Sequence, residues 1–198
     1  MWSCRTNRGQ FMMTAEDVVE LLRLLAEHSI DIWIDGGWGV DALLGHQTRP
    51  HNDLDIALKH SDVPALRKLL EAHGYREILR DDTRDCNFVL GDEHGRQVDV
   101  HSFELDDDGN NIFGVPYRAE YLTGTGAIGG YPVRCISPDC MVKFHTGYKL
   151  DAKDFRDVKA LCDKFRIEMP DEHKTYRNPQ GATAPQDGTQ RGRIIETI

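Results

Sequence analysis

The segment Asp53-Leu54-Asp55-Ile56 alternates carboxylate with aliphatic side chain, and it constrains the fold more than any other stretch. Successive side chains of a strand point to opposite faces, so Asp53 and Asp55 share one face while Leu54 and Ile56 share the other. If the aliphatic face packs on a core, the two carboxylates are left together on the other side, spaced to grip one hard cation. Val98-Asp99-Val100-His101 repeats the pattern, with Asp99 and His101 on one face. Should the two strands pair with both aliphatic faces on the core, three carboxylates converge above the sheet. Such a cluster raises its own pKa values unless a divalent metal satisfies it. A lone strand aspartate is usually a solvated surface residue. Three in this arrangement, preceded by Gly36-Gly37, point to a site.

The surrounding pattern places these acids in an α+β domain. Thr14 can cap a helix whose apolar positions run from Val18 to Leu25 with helical period. Asp31 to Asp35 reads as a strand entering the Gly36-Gly37 turn, and Trp38 to Leu44 as a short helix stopped by Gly45. Asp53 to Leu58 is the second strand, and Ser61 to His73 a helix capped by Ser61. Tyr75 to Leu79, Cys86 to Leu90 and Gln97 to Phe103 are strands, followed by the polar turn Asp106 to Asn110. Thr123 to Gly130 is expected to be irregular, and Tyr131 to Ile136 a strand. Ser137-Pro138 starts a helix, and Phe155 to Phe165 forms another. The expected division is a disordered lead over 1–12, a core over 13–136, a helical part over 137–170 and a mostly disordered tail over 171–198.

Composition narrows the function. The 198 residues carry 24 Lys plus Arg against 33 Asp plus Glu, a net charge of -9, which disfavours a nucleic-acid backbone as partner. No apolar run approaches the roughly 18 residues of a membrane span, and residues 1–11 lack the apolar region of a signal peptide. Five cysteines without a Cys-x-x-Cys pair argue against a disulfide framework or zinc site and suit a reducing cytoplasm.

The acid cluster suits Mg²⁺, which takes oxygen ligands and bridges carboxylates to phosphates. Two metals could align an attacking hydroxyl and stabilise a departing pyrophosphate. A glycine turn opening a helix, here Gly36, Gly37 and Trp38, offers backbone N–H groups to a triphosphate. Arg49, Lys143 and Lys149 are either phosphate contacts or solvated basic residues. His145 is equally a helix-packing residue or a substrate contact, and His101 lies close to the acids. Gly37-Trp38-Gly39-Val40-Asp41-Ala42 matches a dinucleotide-binding pattern, but the helix is too short for a parallel crossover and the acids open their strand. The run from Asp106 lacks the Gly and Glu of a calcium loop at Asn111 and Tyr117.

Gly36-Gly37-Trp38, Asp53-x-Asp55 and Asp99 together resemble the nucleotidyltransferase superfamily typified by DNA polymerase beta. The runs Trp33 to Asp41 and Arg49 to Asp55 are similar to small antibiotic nucleotidyltransferases, among which Gly36-Gly37 replaces the usual Gly-Ser. Asp99-Val100-His101, Asp107-Asp108-Gly109 and Cys135-Ile136-Ser137 through Phe144-His145-x-Gly147-Tyr148 look like the lincosamide group; the 2''-aminoglycoside group resembles the chain mainly through Trp33 to Asp55.

The resemblance implies a polymerase beta-like mixed sheet flanked by helices, followed by a small C-terminal helical part. Asp53, Asp55 and Asp99 would hold metal, with Asp99 joining them or acting as general base. It implies transfer of AMP from ATP to an antibiotic hydroxyl, with His101, His145 and Tyr148 near the acceptor and two chains forming a dimer. Toxin-type nucleotidyltransferases and non-catalytic binding modules are the rivals. The acids outside the cluster, including Asp81, Asp82 and Asp85, favour a cationic acceptor, which suits lincosamides and aminoglycosides alike.

Overall fold

A computed structural model describes residues 12–176. In chain order the elements are α1 (Ala15–Glu27), β1 (Ile32–Ile34), α2 (Gly36–Leu44), β2 (Asp53–Lys59), α3 (Val63–Ala72), β3 (Arg76–Ile78), β4 (Asn87–Gly91), β5 (Gln97–Leu105), β6 (Asn111–Gly114), β7 (Gly124–Ile128), β8 (Tyr131–Cys135), α4 (Pro138–Phe144), α5 (Ala152–Phe165) and α6 (Asp171–Thr175). The strands form one mixed sheet in the order β3-β4-β5-β2-β1-β8-β7, with β6 also paired to β5. Strand β2 runs parallel to β5, and β1 runs parallel to β8. The α+β architecture is the one expected, a mixed sheet flanked by helices.

The acid–aliphatic alternation acts as its spacing requires. Leu54, Ile56, Leu58, Val98 and Val100 are fully buried on the aliphatic side of β2 and β5. Burying a side chain of this size contributes roughly 1.5–3 kcal/mol, so slipping β2 by one residue would bury carboxylates and expose the aliphatics. Helix α1 turns Val18, Leu21, Leu22 and Leu25 into the same core, and Thr14 caps it through a reciprocal bond with Asp17. Strands β1 and β2 pair antiparallel, which a dinucleotide-binding crossover could not do.

Three expectations are corrected. The glycine-rich segment from Thr123 is not irregular: Gly124–Ile128 is strand β7, paired with β8. A Cβ at Gly126 would collide with the Ala42 carbonyl, so the glycine there serves close packing of the strand on α2. The helix after Asp35 starts at Gly36, not Trp38, because Asp35 rather than the glycine pair supplies its cap. The expected tail begins too early, since Asp171–Thr175 is helical and His173 is buried, its Nε2 2.8 Å from the His145 carbonyl oxygen. The expectations for residues 1–11 and 177–198 lie outside the described residues.

No helix among the described residues is long and apolar enough to cross a membrane. Cys86, Cys135, Cys140 and Cys162 are free thiols, and burial, with Asp35 nearby, pushes Cys135 up to about 12.

Candidate active site

The site forms where β1 hands the chain to α2. Asp35, almost fully buried, ends the strand and caps the helix, its Oδ1 accepting from the Gly36 N–H at 2.7 Å. Its Oδ2 accepts from the Tyr117 hydroxyl at 2.5 Å. The Asp35 N–H donates to the Asp55 carbonyl at 2.9 Å, which pins the turn to β2 at the second acid. Gly36 has φ +57°, and the Asp55 carboxylate fills the space where a Cβ would stand. Both facts require glycine here.

The parallel register sets Asp55 directly beside Asp99 and Asp53 beside Gln97. Asp55, Asp99 and His101 offer ligand atoms that all lie within 4.8 Å of one another. Asp53 is outside that trio, on the same strand as Asp55 and of the same face by alternation. His101 is buried, with Nε2 3.5 Å from Asp99 Oδ1 and Nδ1 4.0 Å from Asp35 Oδ2. Its Nδ1 has no hydrogen-bond partner among the described residues. Burial raises the Asp99 carboxyl above its ordinary 3.8; His101 lowers it, Asp55 raises it and Arg80 lowers it. Arg80 reaches Asp99 Oδ2 through Nη1 at 3.3 Å and Gln97 Oε1 through Nη2 at 3.0 Å.

These residues fit a divalent cation. Two carboxylates stand side by side on adjacent strands, and the proton affinity of one is raised by burial and by the other. Mg²⁺ favours oxygen, so Asp53, Asp55 and Asp99 are the residues that would hold it, with His101 flanking Asp99.

A second buried network braces the turn. Gly37 lies against His51 and Arg49, whose Cε1 and Nη2 a Cβ would meet at 2.6 and 2.7 Å. Arg49 Nη1 lies 3.0 Å from His51 Nδ1, and His51 Nε2 lies 2.5 Å from Asp41 Oδ2. Because arginine only donates, His51 accepts at Nδ1 and donates to Asp41 from Nε2. Thr48 donates twice to the other oxygen of Asp41. Arg49 also pairs with the buried Asp157 of α5 at 2.9 Å. The charge expected to meet phosphate is therefore matched, and Arg49 ties β2's approach to a helix far along the chain.

The other expected contacts are distributed unevenly. Trp38 is buried and packs on His51 with ring centroids 4.7 Å apart, so its indole supports the turn from within. Lys143 is exposed on α4 with Nζ 6.0 Å from the Tyr121 ring centre, and Lys149 is exposed in the link to α5. Tyr148 donates to Asp154 at 3.1 Å. His145 is buried at the end of α4, with its Nδ1 2.7 Å from the Met141 carbonyl oxygen.

Arg80, Asp35, Tyr117 and the Asp41–His51–Asp157 network were missed in the sequence. Asp35 was findable as a capping residue between a strand and two glycines. Arg80 sits in a polar loop whose spacing to Asp99 carries no signal.

A family model described as Aminoglycoside-2''-adenylyltransferase matches residues 17–161. A lincosamide resistance protein of Staphylococcus haemolyticus is 30% identical over 154 residues, which cover 75% of this chain and 94% of that protein. A 2''-aminoglycoside nucleotidyltransferase of Escherichia coli is 30% identical over 125 residues, 62% of this chain and 67% of the relative. The lincomycin-bound crystal structure of a lincosamide antibiotic adenylyltransferase is similar with a TM-score of 0.66 and 28% identity, over 76% of this chain and 97% of that one. The crystal structure of ANT(2'')-Ia with adenylyl-2''-tobramycin shares the fold, with a TM-score of 0.61 and 22% identity over 76% of this chain and 88% of the other. With the family model matched over most of its length and a relative 30% identical over 75% of it, the chain belongs to the aminoglycoside-2''-adenylyltransferase family and is a nucleotidyltransferase.

Proposed function

We propose that the chain is a Mg²⁺-dependent enzyme that transfers AMP from ATP to a hydroxyl of a lincosamide such as lincomycin or clindamycin, releasing pyrophosphate. The pairing of Asp55 with Asp99 across β2 and β5 carries the chemistry. The acceptor reading is supported by the S. haemolyticus lincosamide resistance protein, which matches this chain over 94% of its own length.

Asp99 is the general base, taking the proton of the antibiotic hydroxyl as its oxygen attacks the α-phosphate. Burial raises its proton affinity above that of an ordinary carboxylate, which makes it a better base. Asp53 and Asp55, joined by one oxygen of Asp99, would hold a pair of metal ions, which would supply charge neutralisation at the phosphates. Gly36 and Gly37 present the first turn of α2 to the nucleotide, and the exposed Lys143 of α4 and Lys149 of the link to α5 reach for the phosphates. His101 and Tyr148 contact the acceptor. Most of the rate enhancement is alignment and electrostatics, since such phosphoryl chemistry asks for little covalent help. A second copy of the chain and a cytoplasmic setting complete the reading.

An aminoglycoside acceptor is the second reading, favoured by the description of the matching family. Pyrophosphate release from Mg-ATP, followed with lincomycin, clindamycin, a panel of aminoglycosides and no acceptor, separates the two. We expect release with a lincosamide alone. Release confined to the aminoglycoside arms moves the acceptor assignment and leaves the chemistry standing; silence in all arms removes both.

A further inference from the structure

Arg80 stands in the loop between β3 and β4, beside an acid cluster that a metal is to enter. The loop also carries Asp81, Asp82 and Asp85, and Leu79 next to Arg80 is 80% exposed. The Arg80 guanidinium makes one long contact of 3.3 Å to Asp99 through Nη1 and donates from Nη2 to the neutral Gln97. A structural arginine–carboxylate pair is usually short and forked, with two parallel bonds near 2.8 Å. Arg80 is therefore a cation held loosely at a place where a stronger cation fits.

Two cations cannot share that place. A divalent ion at Asp55 and Asp99 repels a guanidinium that cannot shed its proton, and the repulsion at a few ångströms is large in a partly buried site. The side chain is 21% exposed and rooted in a loop, so it has room to turn. The planar fork that grips Asp99 poorly matches phosphate oxygens well.

We propose that Arg80 takes the cation position beside Asp99 when metal is absent and turns to the phosphates of the nucleoside triphosphate when metal arrives. Arg80 then has two opposed effects: it competes with metal alone and supports the metal–nucleotide complex. This rests on the nucleotidyltransferase reading of the acid cluster. It adds a residue that ties nucleotide binding to metal occupancy.

The test separates the two effects in the full chain. Mn²⁺ binding without nucleotide, read from the paramagnetic resonance of the free ion, is compared among wild type, Arg80→Ala, Arg80→Lys and Asp99→Asn. Arg80→Ala is expected to bind Mn²⁺ about fivefold more tightly than wild type, and Arg80→Lys, which keeps the charge, to stay near wild type. Equilibrium binding of Mg-ATP without acceptor should weaken about tenfold in both Arg80 variants, the size of one charge-assisted bond lost with the fork. Mn²⁺ binding in Arg80→Ala no tighter than wild type overturns the proposal, as does unchanged Mg-ATP affinity. If Asp99→Asn binds Mn²⁺ as wild type does, the reading of the acid cluster has failed, which is a different result from a failure of Arg80 alone.

Discussion

Asp99→Asn will remove turnover, by roughly 10³-fold or more, while the circular dichroism spectrum and the cooperative melt stay native-like. The substitution keeps the shape of the side chain but deletes a general base and a metal ligand together, each worth orders of magnitude. The stability side has a definite sign. The folded-state pKa of Asp99 is raised, chiefly by burial, so between the ordinary 3.8 and the raised value the folded state binds more protons than the unfolded chain. Stability from this group is present below 3.8 and declines as pH rises through that window. In metal-free buffer at neutral pH, Asp99→Asn should therefore be at least as stable as wild type. Wild-type turnover in this variant, or a melt that collapses at neutral pH, contradicts the role given to Asp99.

The second large effect is expected at a residue with no functional group. Gly36→Ala introduces a Cβ where the Asp55 carboxylate lies and forces a residue with a side chain to φ +57°. The backbone part is about 1–2 kcal/mol, and displacing the carboxylate adds a similar amount, so a loss of about 2–4 kcal/mol in a denaturant melt follows. Activity falls further, by about 10²-fold in the molecules that remain folded, because moving Asp55 by an ångström misaligns the metal with the acceptor. Gly45→Ala supplies the control: it also has positive φ, at +83°, but nothing lies within 4 Å of its Cβ. Gly45→Ala should show only the backbone part and full activity. Equal activity in the two variants would show that the turn does not position Asp55.

The alternation at Asp53 to Ile56 and at Val98 to His101 was readable because a strand must sort its side chains to two faces, and a core settles which face is buried. That reasoning reaches a cluster of Asp53, Asp55 and Asp99 above the sheet, provided the two strands pair. It does not fix the register, which places Asp53 beside Gln97. Gly126 misled because glycine in sequence signals irregularity, whereas here it lets β7 approach α2 closely. Arg49, a plausible phosphate ligand from its place before the acids, is held by Asp157, a partner more than a hundred residues away that no local pattern announces.

The central claim, that this acid cluster moves a nucleotide onto an antibiotic, is tested most directly by the mass of the acceptor. Incubated with the protein, Mg²⁺ and ATP, lincomycin should gain one adenylyl group in the mass spectrum, and the gain should vanish with Asp99→Asn. Unmodified lincomycin and unmodified aminoglycosides from wild-type protein that binds Mg-ATP would contradict the account.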